Sequence, residues 1–577
     1  MTKKPESQFL GPQQRLDAWG RLGKDHFDVV VVGGGVVGAG IALDAATRGL
    51  RVALVEARDL ASGTSSRSSK MFHGGLRYLE QLEFGLVREA LAERELSMSM
   101  LAPHLVKPLR FLYPLTRRVW ERPYVASGLL LYDTMGGAKS VPGQRHLSRH
   151  GALRLAPGLR RDSMIGGISY YDTVVDDARH TMTVARTAAH YGAAIRTSTQ
   201  VVGFLREADR VVGVKLRDSE DGRTTETRAH VVINATGVWT DEIQALSHQR
   251  GRFHVRASKG VHIVVPRDRI VSDAAIILRT KTSVLFVIPW GSHWIIGTTD
   301  TDWNLDLAHP AATKADIDYL LEHVNRVLVT PLTPDDIDGV YAGLRPLLAG
   351  ESDDTSKLSR EHAVARIAPG LVAIAGGKYT TYRVMAYDAV DEAAQDIPAR
   401  VSPSITEKVP LLGADGYFAL VNQTVQLAED YGVHPYRIKH LLDRYGSLID
   451  EVMALADGKP ELLQPLTDAP SYLQVEVVYA AAAEGALHLD DILARRTRIS
   501  IEYSHRGADC AEQVARLVAP VLGWDDDDVD REVGLYLARV EAEICSQTQP
   551  DDAGADALRV AAPEPRPEIL EPVPLDR

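Results

Sequence analysis

An α/β fold with an inserted antiparallel sheet and a C-terminal helical domain is what this sequence predicts, on three observations. A short β-branched run, Phe27 to Val32, leads into the turn Gly33-Gly34-Gly35 and then a small-residue helix from Val36 to Thr47. Alternating stretches at Gly260 to Pro266, Val284 to Pro289 and Trp294 to Gly297 have the period of half-buried antiparallel strands. Beyond about residue 405 the composition turns helical. At 577 residues the chain is long enough for roughly three to four structural units.

The elements follow in order. Residues 1–26 are expected to be a loosely ordered lead-in, and 27–400 a nucleotide-binding domain interleaved with the β-sheet domain. Arg51 to Val55 is the second strand of a βαβ unit and ends at Glu56. Phe84 to about Leu101 and Val174 to Tyr191 have helical spacing, and Gln200 to Leu216 reads as a hairpin. Ala229 to Ala235 is an apolar strand ending at Thr236-Gly237, and Leu371 to Ala375 another, ending at Gly376-Gly377. A helical domain is expected over 405–547. The tail, 548–577, is rich in Pro, Asp, Glu and Ala and is expected to be disordered.

Composition narrows the function. Hydrophobic residues at 45% and charged residues at 25% are ordinary for a globular protein. A net charge of −12 argues against nucleic acid as a partner and means that an anionic ligand must be met by locally gathered cations. Cys510 and Cys545 are far apart in no metal-binding pattern, which suits reduced thiols, a cytoplasmic address and no metal site. No run approaches the roughly 18 apolar residues of a spanning helix, so membrane contact is expected to be peripheral.

Gly33-x-Gly35-x-x-Gly38 follows a strand, opens a helix and has Glu56 at the end of the next strand, the context of a Rossmann-like dinucleotide site. Gly33 permits the turn, Gly35 lets backbone approach a pyrophosphate, and Gly38 lets the helix pack on the sheet. The helix N-terminus attracts phosphate, and the Glu56 carboxylate accepts from ribose hydroxyls. The motif alone does not separate NAD from FAD. Two further glycine-bearing strand ends, at Gly237 and Gly376-Gly377, suit a long extended cofactor.

A longer series of motifs is more specific. It runs from Ser62-Gly63-Thr64-Ser65-Ser66 through Ser68-Ser69-Lys70-Met71-Phe72-His73-Gly74-Gly75-Leu76-Arg77-Tyr78-Leu79-Glu80 to Asn234-Ala235-Thr236-Gly237. Lys259-Gly260-Val261-His262, Ile296-Gly297-Thr298-Thr299-Asp300, Ala342-Gly343-Leu344-Arg345-Pro346-Leu347 and Ser359-Arg360-Glu361-His362 follow. Gly376 to Arg383, Asp443-Arg444-Tyr445-Gly446 and Glu484 through Asp491 to Arg498 complete it. In this order the chain resembles the FAD-dependent, respiratory glycerol-3-phosphate dehydrogenases over about residues 27–545. The resemblance implies the FAD-binding Rossmann-like fold of the D-amino-acid-oxidase-like class. It also implies FAD contacts at Gly33, Gly35, Gly38, Glu56, Thr64, Ser65, Ser69, His73, Gly74, Leu76, Val201, Ala235, Gly237, Gly343, Gly377, Lys378 and Thr380. Val261 and Tyr379 depart from the family pattern.

The implied reaction is oxidation of sn-glycerol 3-phosphate to dihydroxyacetone phosphate, with hydride passing from C2 to flavin N5 and electrons passed on to a quinone. Its phosphate calls for cations. Arg345 and Arg77 are the first candidates, then Arg360, because a guanidinium fork matches phosphate oxygens. Lys378 is placed to stabilise reduced flavin or hold substrate oxygens. His262 and Tyr78 are both candidate partners of the reacting hydroxyl, and the sequence does not decide the base. The resemblance further implies the inner face of the cell membrane and a homodimer. Lys107, Arg110, Arg117, Arg118 and Arg122 among Phe111, Tyr113, Trp120 and Tyr124 form the candidate membrane-contact segment, against an ordinary solvated basic stretch. Arg495, Arg496 and Arg498 are expected to serve packing or self-association. The nearest alternative activity is a glycerol-3-phosphate oxidase making hydrogen peroxide. A non-catalytic flavin-binding protein is the alternative from another class.

Overall fold

The structure, a computed structural model, describes residues 9–75, 83–117, 121–135, 141–247, 254–280, 284–349 and 361–566. The run His26–Val32 pairs in parallel with Val52–Val55 on one side and Thr224–Asn234 on the other. Leu371–Gly376 continues the parallel order beyond Thr224–Asn234, and Ala194–Arg196 beyond Val52–Val55. The predicted hairpin, Thr199–Glu207 with Arg210–Asp218, joins this first sheet antiparallel to Thr224–Asn234. Strands covered on both faces lose the polar alternation of an open sheet, and Val52–Val55 is buried throughout.

Helix Val36–Thr47 is apolar but for Asp44, which pairs with Arg48, and Thr47, and is nearly all buried. It is wedged against the sheet by helices Asp177–His190 and Tyr382–Ala394. Only small residues permit that approach: a Cβ at Gly40 would lie 3.0 Å from the Tyr382 ring. Each fully buried Val or Leu here contributes roughly 1.5–3 kcal/mol.

The second sheet is built around the long strand Val255–Pro266. Gly339–Leu348 pairs along one edge, and His293–Gly297 and Thr301–Trp303 along the other. The sheet continues through Val284–Trp290, Ala275–Arg279, Lys107–Leu115 and Gly166–Val174 to Met71–Phe72. The helical domain carries its own apolar cores. It docks through buried ion pairs: Asp59 with Arg495 (2.6 Å) and Arg496 (2.7 Å), and Asp176 with Arg498 (2.5 Å). Removing one partner of such a pair costs about 3–5 kcal/mol, although the intact pair adds little net stability.

Three expectations are corrected. The lead-in contains helix Pro12–Lys24, started by proline at its first turn and burying Ala18 and Leu22. The tail is not disordered over its described part. Helix Asp552–Ala561, capped by the Asp551 side chain, packs on the body, and Arg566 is buried. It buries Ala555, with Ala562 just beyond it, and is otherwise held largely by charges, so its apolar face is narrow. Residues 567–577 lie outside the described residues.

The basic, aromatic segment is in large part a strand: Phe111 and Tyr113 are core residues, and Phe111 stacks on Tyr170. Lys107 pairs with Asp443, and Arg110 bonds Ser169. Arg118 and Trp120 lie outside the described residues. Among the described residues no helix is long and apolar enough to cross a membrane.

Candidate active site

A cleft of about 700 Å³ runs along the carboxyl ends of the first sheet's parallel strands and over one face of the second sheet. Ligands of open α/β sheets bind at such strand ends. At one end, Gly33 turns at φ 108°, a left-handed value that glycine adopts without strain. A Cβ at Gly38 would lie 1.9 Å from the Gly33 carbonyl oxygen, so the turn closes only around glycine. Gly35, at the N-cap of the helix, has no side chain to cap it. The Val36 N–H donates to Ser65 Oγ (2.9 Å).

Both Glu56 oxygens accept main-chain N–H groups, from Gly34 (2.6 Å) and Arg58 (2.8 Å). Burial raises the Glu56 carboxyl above the usual range, and these bonds hold it down. Thr64 donates to the Leu344 carbonyl (2.6 Å) and so ties the two sheets together at the cleft.

Of the expected cofactor contacts, Gly33, Gly35, Glu56, Thr64, Ser65, Ser69, His73, Val201, Ala235, Gly237, Gly343, Gly377 and Lys378 line this cleft. Gly38, Gly74 and Thr380 stand behind its wall. The Gly74 N–H is taken by the Tyr132 hydroxyl (2.7 Å), and Thr380 Oγ1 accepts from the His73 N–H (3.2 Å). Leu76, Arg77, Tyr78 and Arg360 lie outside the described residues. Three side-chain-free strand ends, a helix N-terminus with glycine at its N-cap and a carboxylate beyond it fit an extended dinucleotide.

The other end is set by strand parity. Ser258, Gly260 and His262 share one face of their strand, and the register brings Arg345, Gly343 and Tyr341 opposite them. Gly297 lies across from His262 on the other edge. Arg345 spreads over Thr298 Oγ1 (3.1 Å), the Thr299 carbonyl (3.2 Å), Asp300 (3.3 Å) and Ser258 Oγ (3.4 Å). Gly260 leaves the room it needs: a Cβ there would sit 2.5 Å from Arg345 Nη2. Lys378 follows two left-handed glycines, Gly376 and Gly377, which turn the chain along the cleft.

His262 Nε2 and Ser69 Oγ are 2.8 Å apart, and the imidazole stacks on Tyr341 at 4.7 Å. Its Nδ1 has no hydrogen-bond partner among the described residues. Burial, then Arg345 and Lys70, hold the imidazole well below 6.5, so it is neutral at physiological pH. Of the two departures from the family pattern, only Tyr379 lines the cleft. Val261 points into the core on the opposite face, and the Tyr379 hydroxyl donates to the Asp177 carbonyl (2.6 Å).

Sequence reasoning assigns no role to Ser258, Asp300 or Tyr341, yet these orient Arg345 and His262. The signal was available: counting by two back from His262 reaches Ser258, and Asp300 closes a motif already singled out. A second supporting group is Asp177. It accepts from Ser68 Oγ (2.7 Å) and Lys70 (2.8 Å), and Arg498 reaches it from the helical domain. Thus Arg498 supports the loop that carries Ser69.

Comparison with known proteins adds to this geometry. Residues 28–383 match the family described as FAD dependent oxidoreductase, and residues 404–529 the C-terminal domain of alpha-glycerophosphate oxidase. The chain is 78% identical over 567 residues to glycerol-3-phosphate dehydrogenase 2 of Mycobacterium tuberculosis, spanning 98% of this chain and 97% of that protein. It is 36% identical over 524 residues to the human mitochondrial glycerol-3-phosphate dehydrogenase, spanning 87% and 71%. The glycerol-3-phosphate dehydrogenase of Bacillus halodurans, solved with FAD, superposes with a TM-score of 0.77 at 29% identity, over 92% of this chain and 98% of that one.

Proposed function

This chain belongs to the FAD-dependent glycerol-3-phosphate dehydrogenases, and we propose that it oxidises sn-glycerol 3-phosphate to dihydroxyacetone phosphate and passes the electrons to a quinone. The observation that carries the substrate reading is that Arg345 and a neutral His262, on adjacent strands of the second sheet, line the same cleft as Lys378 and Glu56.

Arg345 is pre-oriented by Thr298, Thr299 and Asp300 to present its fork to the phosphate oxygens. This gathers positive charge against a net charge of −12. Lys378 holds substrate oxygens beside the cofactor. His262 accepts the C2 hydroxyl proton. A bound phosphate dianion opposes the effect of Arg345 and lifts the imidazole's proton affinity as substrate arrives. Bound FAD supplies the acceptor for the electron pair. Holding the hydroxyl, the base and the phosphate ligands in one geometry accounts for much of the acceleration.

The quinone acceptor, the cell-membrane inner face and the homodimer rest on the likeness to respiratory family members. Helix Glu121–Met135, with Tyr124 and Leu130 at 46% and 58% exposure, is the part of the basic segment that keeps a surface for such contact. Turnover with a short-chain quinone tests the acceptor. Quinol is expected to form in step with dihydroxyacetone phosphate, with little peroxide in air. Stoichiometric peroxide without quinone reduction turns the assignment to an oxidase.

A further inference from the structure

The family's C-terminal domain match stops at residue 529, but the chain returns from there to the cofactor cleft. Helix Asp526–Ser546 leads into residues 549–566, which touch several of the residues that border the cleft. The Gln549 carbonyl accepts from the Lys314 N–H (3.0 Å). Asp552 pairs with Lys259 of the second sheet's long strand. Asp556 accepts from the Asp306 N–H (3.2 Å), and Asp306 lines the cleft. Ala555 is fully buried in a cluster with Trp239, Leu305 and Leu344, which are also cleft-lining residues.

Glu564 is the most tightly held member. It takes a 2.7 Å bond from Arg58, a cleft residue two positions past Glu56, and pairs as well with Arg539 and His309. Arg566 then anchors the end on Ser198 Oγ (2.6 Å) and Asp491 (2.9 Å).

We propose that residues 549–566 form a strap that seals the outer wall of the FAD cleft and retains the cofactor, with Glu564 as its latch on Arg58. The physical reason lies in how the strap is held. It carries little apolar surface and no core of its own, so it opens locally at far less cost than unfolding either sheet. Its bonds run to the residues that form the wall, so the wall at Arg58, Asp306 and Leu305 loosens when it opens. Cofactor escape then follows strap opening. The proposal concerns FAD and stands whatever the substrate proves to be.

The test is the rate at which FAD leaves the holoprotein, followed by the rise in flavin fluorescence on dilution. Three altered chains are compared with the parent: Glu564→Gln, Ala555→Leu, and a chain ending at Thr548. A chain ending at Arg566 keeps the strap and serves as control. Glu564→Gln and the shorter chain are each expected to release FAD about tenfold faster or more, through the loss of at least one charge-assisted bond, and Ala555→Leu similarly, through overpacking of the buried alanine's site. Residues 549–566 should become protease-sensitive in the two substituted proteins, and the control should release FAD at the parent rate. Release within about twofold of the parent in folded Glu564→Gln and Ala555→Leu overturns the proposal, whether or not the shorter chain folds.

Discussion

Replacing Gly260 by alanine isolates the placement of Arg345. The new methyl would sit 2.5 Å from Arg345 Nη2, 2.6 Å from Thr298 Oγ1 and 2.9 Å from Arg345 Cζ. Non-bonded heavy atoms settle at about 3.5 Å or more, so something withdraws by about 1 Å. The backbone is held, because Gly260 is paired with Gly343 on one edge and lies between paired Lys259 and His262 on the other. The guanidinium yields, and its bonds to Thr298 Oγ1 (3.1 Å) and the Thr299 carbonyl (3.2 Å) are lost. Misplacing one charge-assisted phosphate contact costs about 1.5–3 kcal/mol, or about 10- to 150-fold in kcat/KM. The assay is steady-state oxidation of glycerol 3-phosphate with a dye acceptor, beside the flavin-to-protein ratio from absorbance. Gly534→Ala is the control: nothing lies within 4 Å of its added Cβ, and kinetics should not change. A Gly260→Ala protein with full flavin and parental kcat/KM would refute the reasoning.

Three further outcomes are expected. Gly38→Ala should yield protein without bound flavin, since its Cβ would lie 1.9 Å from the Gly33 carbonyl oxygen; a flavin spectrum of normal intensity contradicts this. His262→Gln should lower kcat by about 10²–10⁴-fold. In the parent, the acid limb of kcat/KM should fall well below 6.5, because burial, Arg345 and Lys70 depress the free enzyme's imidazole; a limb centred at 6.5 assigns the proton elsewhere.

His488 lies between Glu532 (2.9 Å) and Glu220 (3.2 Å). Burial and Arg566 oppose its charge, but the two carboxylates outweigh them and push it up to about 9. Its contribution to stability is therefore fully present below its unfolded value of about 6.5 and is lost as pH rises through about 9. The urea midpoint of the parent should drop across that window by more than that of His488→Gln, and equal drops would rule out this linkage.

The first sheet was legible because its strands are short β-branched runs and its turns need glycine for steric reasons that a sequence displays directly. Arg345, Lys378 and His262 were legible through motif context, and all three line the cleft. Other features were hidden for specific reasons. Lys107–Leu115 mixes basic and aromatic residues as a surface segment would, but its C-terminal half is covered on both faces. The strap is hard to read from hydrophobic patterning because ion pairs and two small alanines, Ala555 and Ala562, do much of the holding. Tyr341 and Asp177 act through other residues, so only the cross-strand register and the fold reveal them. Helix Pro12–Lys24 had a readable start in its proline, but only two of its residues are buried.

The central claim is tested most directly by an anaerobic absorbance titration of the purified protein with glycerol 3-phosphate. The account predicts that the oxidised flavin band bleaches in proportion to substrate added and that one dihydroxyacetone phosphate forms per flavin reduced. An oxidised flavin spectrum that persists at saturating substrate would contradict it.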